Sequence, residues 1–517
     1  MRSTKGIMTV VTAAALAVYF VASAGVALAA AGDAKNGEAI YMKKCWWCHG
    51  KEGEADGPGA DFMIPPPRNF TDGVYKYKSS AYNEDMDIPR DEDLYRMISE
   101  GMPGTSMPEW SKVLDEKQRW DLVAYIKTLT DMFEDAPNPA EMSYGTPVAS
   151  SADSIAKGKQ LFKDAKCFEC HGEGGRGNTI KKLKEESGAK LWPRDLSKPW
   201  TFRSGSEPKD IFARISAGIP NTPMPAHAAD TTGNGKLSVE DRWHVVNYVM
   251  SLADERMKTK EGEIVVKGVY RDALPKDEND PAWDIAEGTT FFLAPQIIMN
   301  DRMYDPSNDT ILVKATFTDK EVAFLLEWND RTKSVKGDTN AATLAWGDLN
   351  PDGVAIQTPL GLDDLATGKP YFGHGDASRP VSIMHWTSGD VEKGQTATMF
   401  SSIGAGKKDA SDGAAAGFVS TGSYNAGVWK VMMKRSLTTG AKDKDTQFEV
   451  GKYIPIAFAN WDGSNGEVGS KHTLTTWRWL LLKPETGSAV VMVPLMVFVL
   501  LVAGQFVFSL VGRKEED

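Results

Sequence analysis

Apolar positions recur along this chain in different rhythms. Between Glu116 and Leu129, and again between Val239 and Leu252, they return every three or four residues behind Asp115 and Ser238. That is the pattern of a capped helix. Beyond about residue 285 the period shortens to two. The runs Thr310-Ile311-Leu312-Val313-Lys314-Ala315-Thr316-Phe317 and Val322-Ala323-Phe324-Leu325-Leu326-Glu327-Trp328 lie between Gly, Asp and Asn turns, and they predict strands of an all-β sandwich or barrel. Residues 255 to 285 between these regimes are charged and aperiodic, and read as a linker and domain entry. Near each end the apolar positions are continuous. The stretch Ile7 to Val21 follows Arg2 and Lys5 and grades into Ala27 and Ala29, the form of a secretory signal peptide cut near Ala29. The stretch Thr486 to Gly512 has no charged residue and is followed by Arg513 and Lys514. It predicts one transmembrane helix over 487–511, with the bulk of the chain in the periplasm and the C-terminus in the cytoplasm.

Composition narrows the picture. A length of 517 residues exceeds one core and suggests three domains, while 41% hydrophobic and 25% charged residues are ordinary globular values. A formal net charge of -11 excludes nucleic acid as a partner. All four cysteines, Cys45, Cys48, Cys167 and Cys170, fall in two identical spacings, which leaves none for a structural disulfide.

Those spacings carry the chemistry. Cys45-Trp46-Trp47-Cys48-His49 and Cys167-Phe168-Glu169-Cys170-His171 both read C-x-x-C-H, in which two thiols form thioethers to one haem and the histidine, His49 or His171, becomes its proximal iron ligand. A zinc site would need two further ligands for each pair, and no other cysteine exists. A thioredoxin-like redox pair is opposed by the adjacent histidine in both copies and by the lack of βαβ patterning. The surroundings repeat as well. Pro67-Arg68-Asn69-Phe70 and Gly101-Met102-Pro103-Gly104-Thr105-Ser106-Met107-Pro108 in the first copy correspond to Pro193-Arg194-Asp195-Leu196 and Gly218-Ile219-Pro220-Asn221-Thr222-Pro223-Met224-Pro225 in the second, the mark of a tandem duplication. This order of haem-bearing helix, methionine loop and closing helix resembles class I cytochrome c. The resemblance implies Met107 and Met224 as distal ligands; Met102 is a nearby competitor, but the second copy has Ile219 there. Two methionine-ligated haems c suit electron transfer. Within the second copy, Asp230 to Asp241 partly fits a calcium loop, although Thr232 stands at position 3 and the last position lacks a bidentate Glu; a turn leading into a cap at Ser238 is the alternative.

The region after the linker resembles the haem b domain in the γ subunits of ethylbenzene dehydrogenase and related type II molybdopterin enzymes, nitrite and nitrate oxidoreductases among them. The resemblance rests on Leu326-Glu327-Trp328-Asn329-Asp330-Arg331-Thr332, Gly353-Val354-Ala355-Ile356-Gln357, Tyr371-Phe372-Gly373-His374-Gly375, Gly427-Val428-Trp429-Lys430-Val431 with Arg435, and Ile456-Ala457-Phe458-Ala459-Asn460-Trp461-Asp462-Gly463 leading to Lys471 and Trp477. It implies one haem b clamped between a methionine and a lysine. Lys471 matches the lysine, and His374 stands where the methionine is expected, with Met384, His385 and His472 close by in sequence.

The fold class expected is therefore multidomain: a signal peptide (1–29), two all-α cytochrome c domains (30–135 and 150–256), an all-β sandwich (280–483) and a transmembrane helix (487–511). The expected function is a membrane-anchored multihaem electron-transfer subunit, itself non-catalytic. It would relay electrons between the iron-sulfur subunit of a molybdopterin catalytic subunit and a downstream cytochrome or oxidase. A stand-alone dihaem enzyme such as a peroxidase, and a tethered binding or sensor protein, are the alternatives.

Overall fold

A computed structural model describes residues 32–512 apart from 81–87, 135–136, 180, 187, 229–235, 363–367 and 485–488. The expected signal peptide and the Asp230–Gly235 part of the candidate calcium loop lie outside the described residues. Helices α1 (Ala34–Lys44), α2 (Trp46–His49), α3 (Asp91–Glu100) and α4 (Glu116–Ile126) are followed by α5 (Ala152–Asp164), α6 (Phe168–His171), α7 (Pro208–Ala217) and α8 (Val239–Ser251), the same order twice. Asp115 caps α4 and exchanges a second bond with Gln118, and Ser238 caps α8 by accepting from Asp241 N. In each copy the first and last helices cross at a glycine. A Cβ on Gly37 would collide with the carbonyl of Asp121, and one on Gly158 with that of His244, so only glycine lets the backbones meet this closely. Each copy has its own core, one around Tyr41, Leu94, Leu122 and Ile126, the other around Phe162, Phe212, Trp243 and Val246. Polar links join the two copies. Arg96 on α3 pairs with Asp210 on α7, and Arg214 donates to the carbonyls of Lys76 and Lys78.

The strands that follow are β1 (Val265–Tyr270), β2 (Thr289–Phe292), β3 (Thr310–Phe317), β4 (Glu321–Asn329), β5 (Gly353–Pro359), β6 (Val381–Asp390), β7 (Gly394–Ser402), β8 (Val419–Asn425), β9 (Val428–Ser436), β10 (Tyr453–Trp461) and β11 (Arg478–Leu482). They do not form two separate sheets. With three short strands they hydrogen-bond into one 14-stranded sheet, along the path β7-β6-β5-β10-β11-β1-β3-β4-β9-β8. Residues 453–456 of β10 pair with β11 and residues 457–461 with β5, so the sheet turns within this strand. Its two halves then face each other across one core, in which Trp328, Trp386 and Trp429 meet with ring centroids 5.0 to 6.3 Å apart. Strand β4 is buried on both faces: Phe324, Leu326 and Trp328 fill the main core, while Ala323 and Leu325 pack under Trp283. Covering the second face removes the alternation that a half-buried strand would show.

The expected transmembrane helix is not supported. The C-terminal segment is helical over Ala489–Gly512, but among the described residues no helix is long and apolar enough to cross a membrane. The single-pass membrane location expected from the sequence falls with it.

Candidate functional site

In both copies the cysteines and histidine occupy one helical turn. His49 N donates to Cys45 O at 3.0 Å and His171 N to Cys167 O at 2.9 Å, which places both thiols and the ring on one side of the chain. All four thiols are free. Burial pushes Cys45 up to about 12 and Cys167 to about 11, with the neighbouring Cys48 adding to the first. Each imidazole is then oriented by a loop carbonyl: His49 Nδ1 lies 2.9 Å from Arg68 O, and His171 Nδ1 lies 3.0 Å from Arg194 O. A carbonyl only accepts, so Nδ1 carries the proton and the Nε2 lone pair stays open. Burial lowers both imidazole pKa values, which keeps the rings neutral as a metal ligand requires. Thiols, open Nε2 and orienting carbonyl together fit a covalently attached haem.

The methionine loops are equally alike. Met102 N and Ile219 N donate to Met107 O and Met224 O, each at 3.1 Å. Thr105 Oγ1 and Thr222 Oγ1 accept from the amides of Met107 and Met224 at 3.2 and 3.3 Å. Gly101 and Gly218, both at positive φ, sit where a Cβ would press on the Met-Pro backbone from 2.6 to 2.8 Å away.

The β-domain contains a cavity of about 710 Å³ on the outer face of β5, β6 and β10, within the size range of cofactor sites. His374, His385 and His472 all line it, with Trp461, Phe400 and Ile383. Gln357 pins the loop that bears His374: its Nε2 donates to Phe372 O at 2.7 Å, and its Oε1 accepts from His374 N at 3.2 Å. His374 adopts a φ of 73°, unusual outside glycine. His472 Nδ1 lies 3.1 Å from Gly469 O, the same device that orients His49 and His171. Burial lowers all three pKa values, those of His385 and His472 to about 4, with Lys408 adding to the shifts of His374 and His385. His374 and His472 are close enough for each other's charge to matter. Lys471 is not among the residues lining the cavity, and Met384 belongs to the main core. The structure thus brings His374 together with His472 and His385, and not with Lys471. His385 was legible only as a histidine close to His374 in sequence; its face could have been found from β6, where Met384 and Trp386 point to the core and Ile383 and His385 to the other side.

Beside the cavity lies a buried acidic group. Asp330, Asp352 and Asp462 have carboxylate oxygens within 4.8 Å of one another. Asp352 accepts from Trp429 Nε1, Ser334 N and Gly463 N at 2.7 to 2.9 Å, which makes it a fastener of loops. Burial, then mutual repulsion, holds Asp330 and Asp352 well above the carboxylate range, and Glu467 is raised to about 8 by burial and by Asp462. A carboxyl raised on folding keeps a proton that the unfolded chain releases. Its contribution is complete at acid pH and is lost as pH rises toward 8. These carboxyls therefore withdraw stability from the β-domain as pH rises between 5 and 8, each by up to about 1.4 kcal/mol per pH unit, while the lowered His374, His385 and His472 act in the opposite sense below pH 6.5. Urea unfolding at several pH values should show a shallower slope for Glu467→Gln. An unchanged slope would mean that Glu467 is ionised in the folded protein.

In the second copy, Asp241 is engaged by Ser238 Oγ at 2.8 Å and by Lys157 Nζ at 3.1 Å. This matches the turn-and-cap reading, and nothing supports calcium there.

Comparison with known proteins adds the lineage. The cytochrome c family model matches residues 34–130 and 155–253, and the ethylbenzene dehydrogenase model matches residues 392–473. A Haloferax mediterranei protein named as a respiratory nitrate reductase haem subunit is 23% identical over 223 residues, 42% of this chain and 71% of that protein. Cytochrome c of Guizotia abyssinica is 32% identical over 21% of this chain and 99% of its own length. Cytochrome c2 of Blastochloris viridis is 35% identical over 21% of this chain and 87% of its own. A match over the whole of a cytochrome c, with the family model falling on the segments where the thiols and imidazoles stand, is decisive: the chain belongs to the cytochrome c family, with the covalent haem c that this implies, and it carries an ethylbenzene dehydrogenase-like segment beyond the cytochrome region.

Proposed function

We propose that this chain is a multihaem electron-transfer subunit of an oxidoreductase complex. The observation that carries the reading is the construction found twice: two thiols and a carbonyl-oriented imidazole in one turn, followed by a methionine loop held by a threonine. Cys45 and Cys48 attach one haem c, with His49 and Met107 as iron ligands. Cys167 and Cys170 attach the second, with His171 and Met224. A haem held by a histidine and a methionine in each copy would supply electron exchange, with no position left for substrate. The β-domain cavity would hold a third, non-covalent haem on His374. Of the candidate partners, His472 rather than Lys471 would be the second ligand, because it lines the cavity and Gly469 O orients its ring. Two imidazoles in place of a thioether and an amine would hold this haem at a low potential.

The likeness to a nitrate reductase haem subunit and the ethylbenzene dehydrogenase-like segment favour a molybdopterin catalytic subunit with an iron-sulfur subunit as the partner, and a downstream cytochrome or oxidase as the other end of the relay. Isolation of the native complex tests this. The expected result is co-purification of a molybdopterin subunit and reoxidation of the pre-reduced haems on addition of nitrate, or their reduction on addition of nitrite. A chain that purifies alone, with haems inert to both, would overturn the reading.

A further inference from the structure

The second cytochrome copy meets the β-domain along residues 192–198, the segment whose Arg194 carbonyl orients His171. Asn329 Nδ2 donates to Asp195 Oδ2 at 2.6 Å and to Ser197 Oγ at 3.1 Å, while Lys198 Nζ reaches Asp309 Oδ1 at 3.0 Å and Thr310 Oγ1 at 2.6 Å. Arg203 from the same cytochrome copy and Arg331 from the loop after β4 lie near enough to Arg194 beside this seam for their charges to act on it. Arg331 lies over the Trp192 ring at 4.9 Å, and its Nε would be 3.6 Å from a Cβ on Gly177. Gly177 N in turn donates to His171 O at 2.9 Å, so Arg331 sits against the turn that carries the proximal histidine.

Two of these arginines have unused donors. Arg331 Nε and Nη1 and Arg203 Nε are buried with no hydrogen-bond partner among the described residues. The nearby acids are committed elsewhere: Asp195 to Asn329 and Ser197, Asp309 to Lys198, Asp462 to Ser307 and Ser464, and Asp330 to Trp328 and Thr332. Like charges gathered at one seam with unused N–H groups are costly unless an anion completes them. A guanidinium fork suits a carboxylate, and a haem carries two propionate carboxylates on one edge.

We propose that Arg331, reaching across from the β-domain, binds a propionate of the haem held by Cys167, Cys170 and His171, with Arg194 and Arg203 completing the site. This rests on the haem assignment above and deepens it: the second haem c is anchored by two domains, and Arg331 tunes its potential as a positioning residue. Removing a positive charge beside the propionates favours oxidised iron. Spectroelectrochemistry of Arg331→Gln should therefore show one c haem with an oxidised-to-reduced ratio raised about tenfold at fixed potential, a fall of about 59 mV, and the other c haem unchanged. Arg331→Lys should recover most of the shift. Two unchanged potentials, in protein that keeps both covalent haems, would overturn the proposal. So would an equal shift in Asn329→Ala, which loosens the seam without touching the guanidinium. Loss of the proposed haem assignment itself would register differently, as the absence of any covalent haem in a Cys45→Ala/Cys48→Ala variant.

Discussion

Replacing Cys45, Cys48, Cys167 and Cys170 together by Ala is expected to remove every trace of haem from the denatured polypeptide. A thiol adds across a haem vinyl to give a thioether, with no net oxidation or reduction, and only that bond survives denaturation. His49 and His171 would hold iron through coordination alone, which is lost when the Arg68 and Arg194 carbonyls no longer orient the rings. On a denaturing gel stained for haem, the signal should fall to zero in the fourfold variant and to about half in Cys167→Ala/Cys170→Ala. The half-loss follows because the two copies have separate cores and separate thiol pairs. A normal stain in the fourfold variant would show that haem is attached elsewhere.

The second large effect concerns the β-domain. Haemochrome analysis of the intact protein is expected to return two c haems and one b haem per chain. His374→Ala should lose the b haem and leave both covalent haems in place, because the cavity is walled by the β-domain alone. His472→Ala should do the same. Lys471→Ala and His385→Ala should each retain it: Lys471 does not line the cavity, and His385 lacks the carbonyl that readies His472. Loss of the b haem in Lys471→Ala with retention in His472→Ala would return the second ligand to the lysine. A wild-type ratio of two c to no b would sink the cavity assignment, while the covalent sites would stand.

What could be read from the sequence was what local spacing determines. The two C-x-x-C-H turns, the caps at Asp115 and Ser238 and the methionine loops depend on residues a few positions apart, so their periodicity survives without knowledge of the fold. What escaped depends on contacts distant in sequence. Strand β5 is buried along its whole length, because the core covers one face and the cavity region the other, and no alternation announces either. Lys471 and His472 are adjacent, and only the pairing of Thr473–Leu474 with β10 decides which of them turns toward the cavity. Arg331 was visible as one letter in a family-like phrase, whereas its role depends on Trp192 and Gly177, more than a hundred positions away. The C-terminal apolar run illustrates the opposite error: its lack of charge suggested a membrane span, whereas among the described residues no helix is long and apolar enough to make one.

Strand β10 serves both halves of the sheet, one end bound to β11 and the other to β5, and its outward residues Ala457, Ala459 and Trp461 form part of the cavity floor. Binding energy gained at that floor is therefore not confined to the loops around it. A ligand that steadies β10 steadies a strand neither half can release without breaking its ladder, so occupancy is thermodynamically linked to the unfolding of the whole β-domain. The midpoint of that domain's melting then becomes a gauge of what the cavity holds, readable without any spectrum of the ligand.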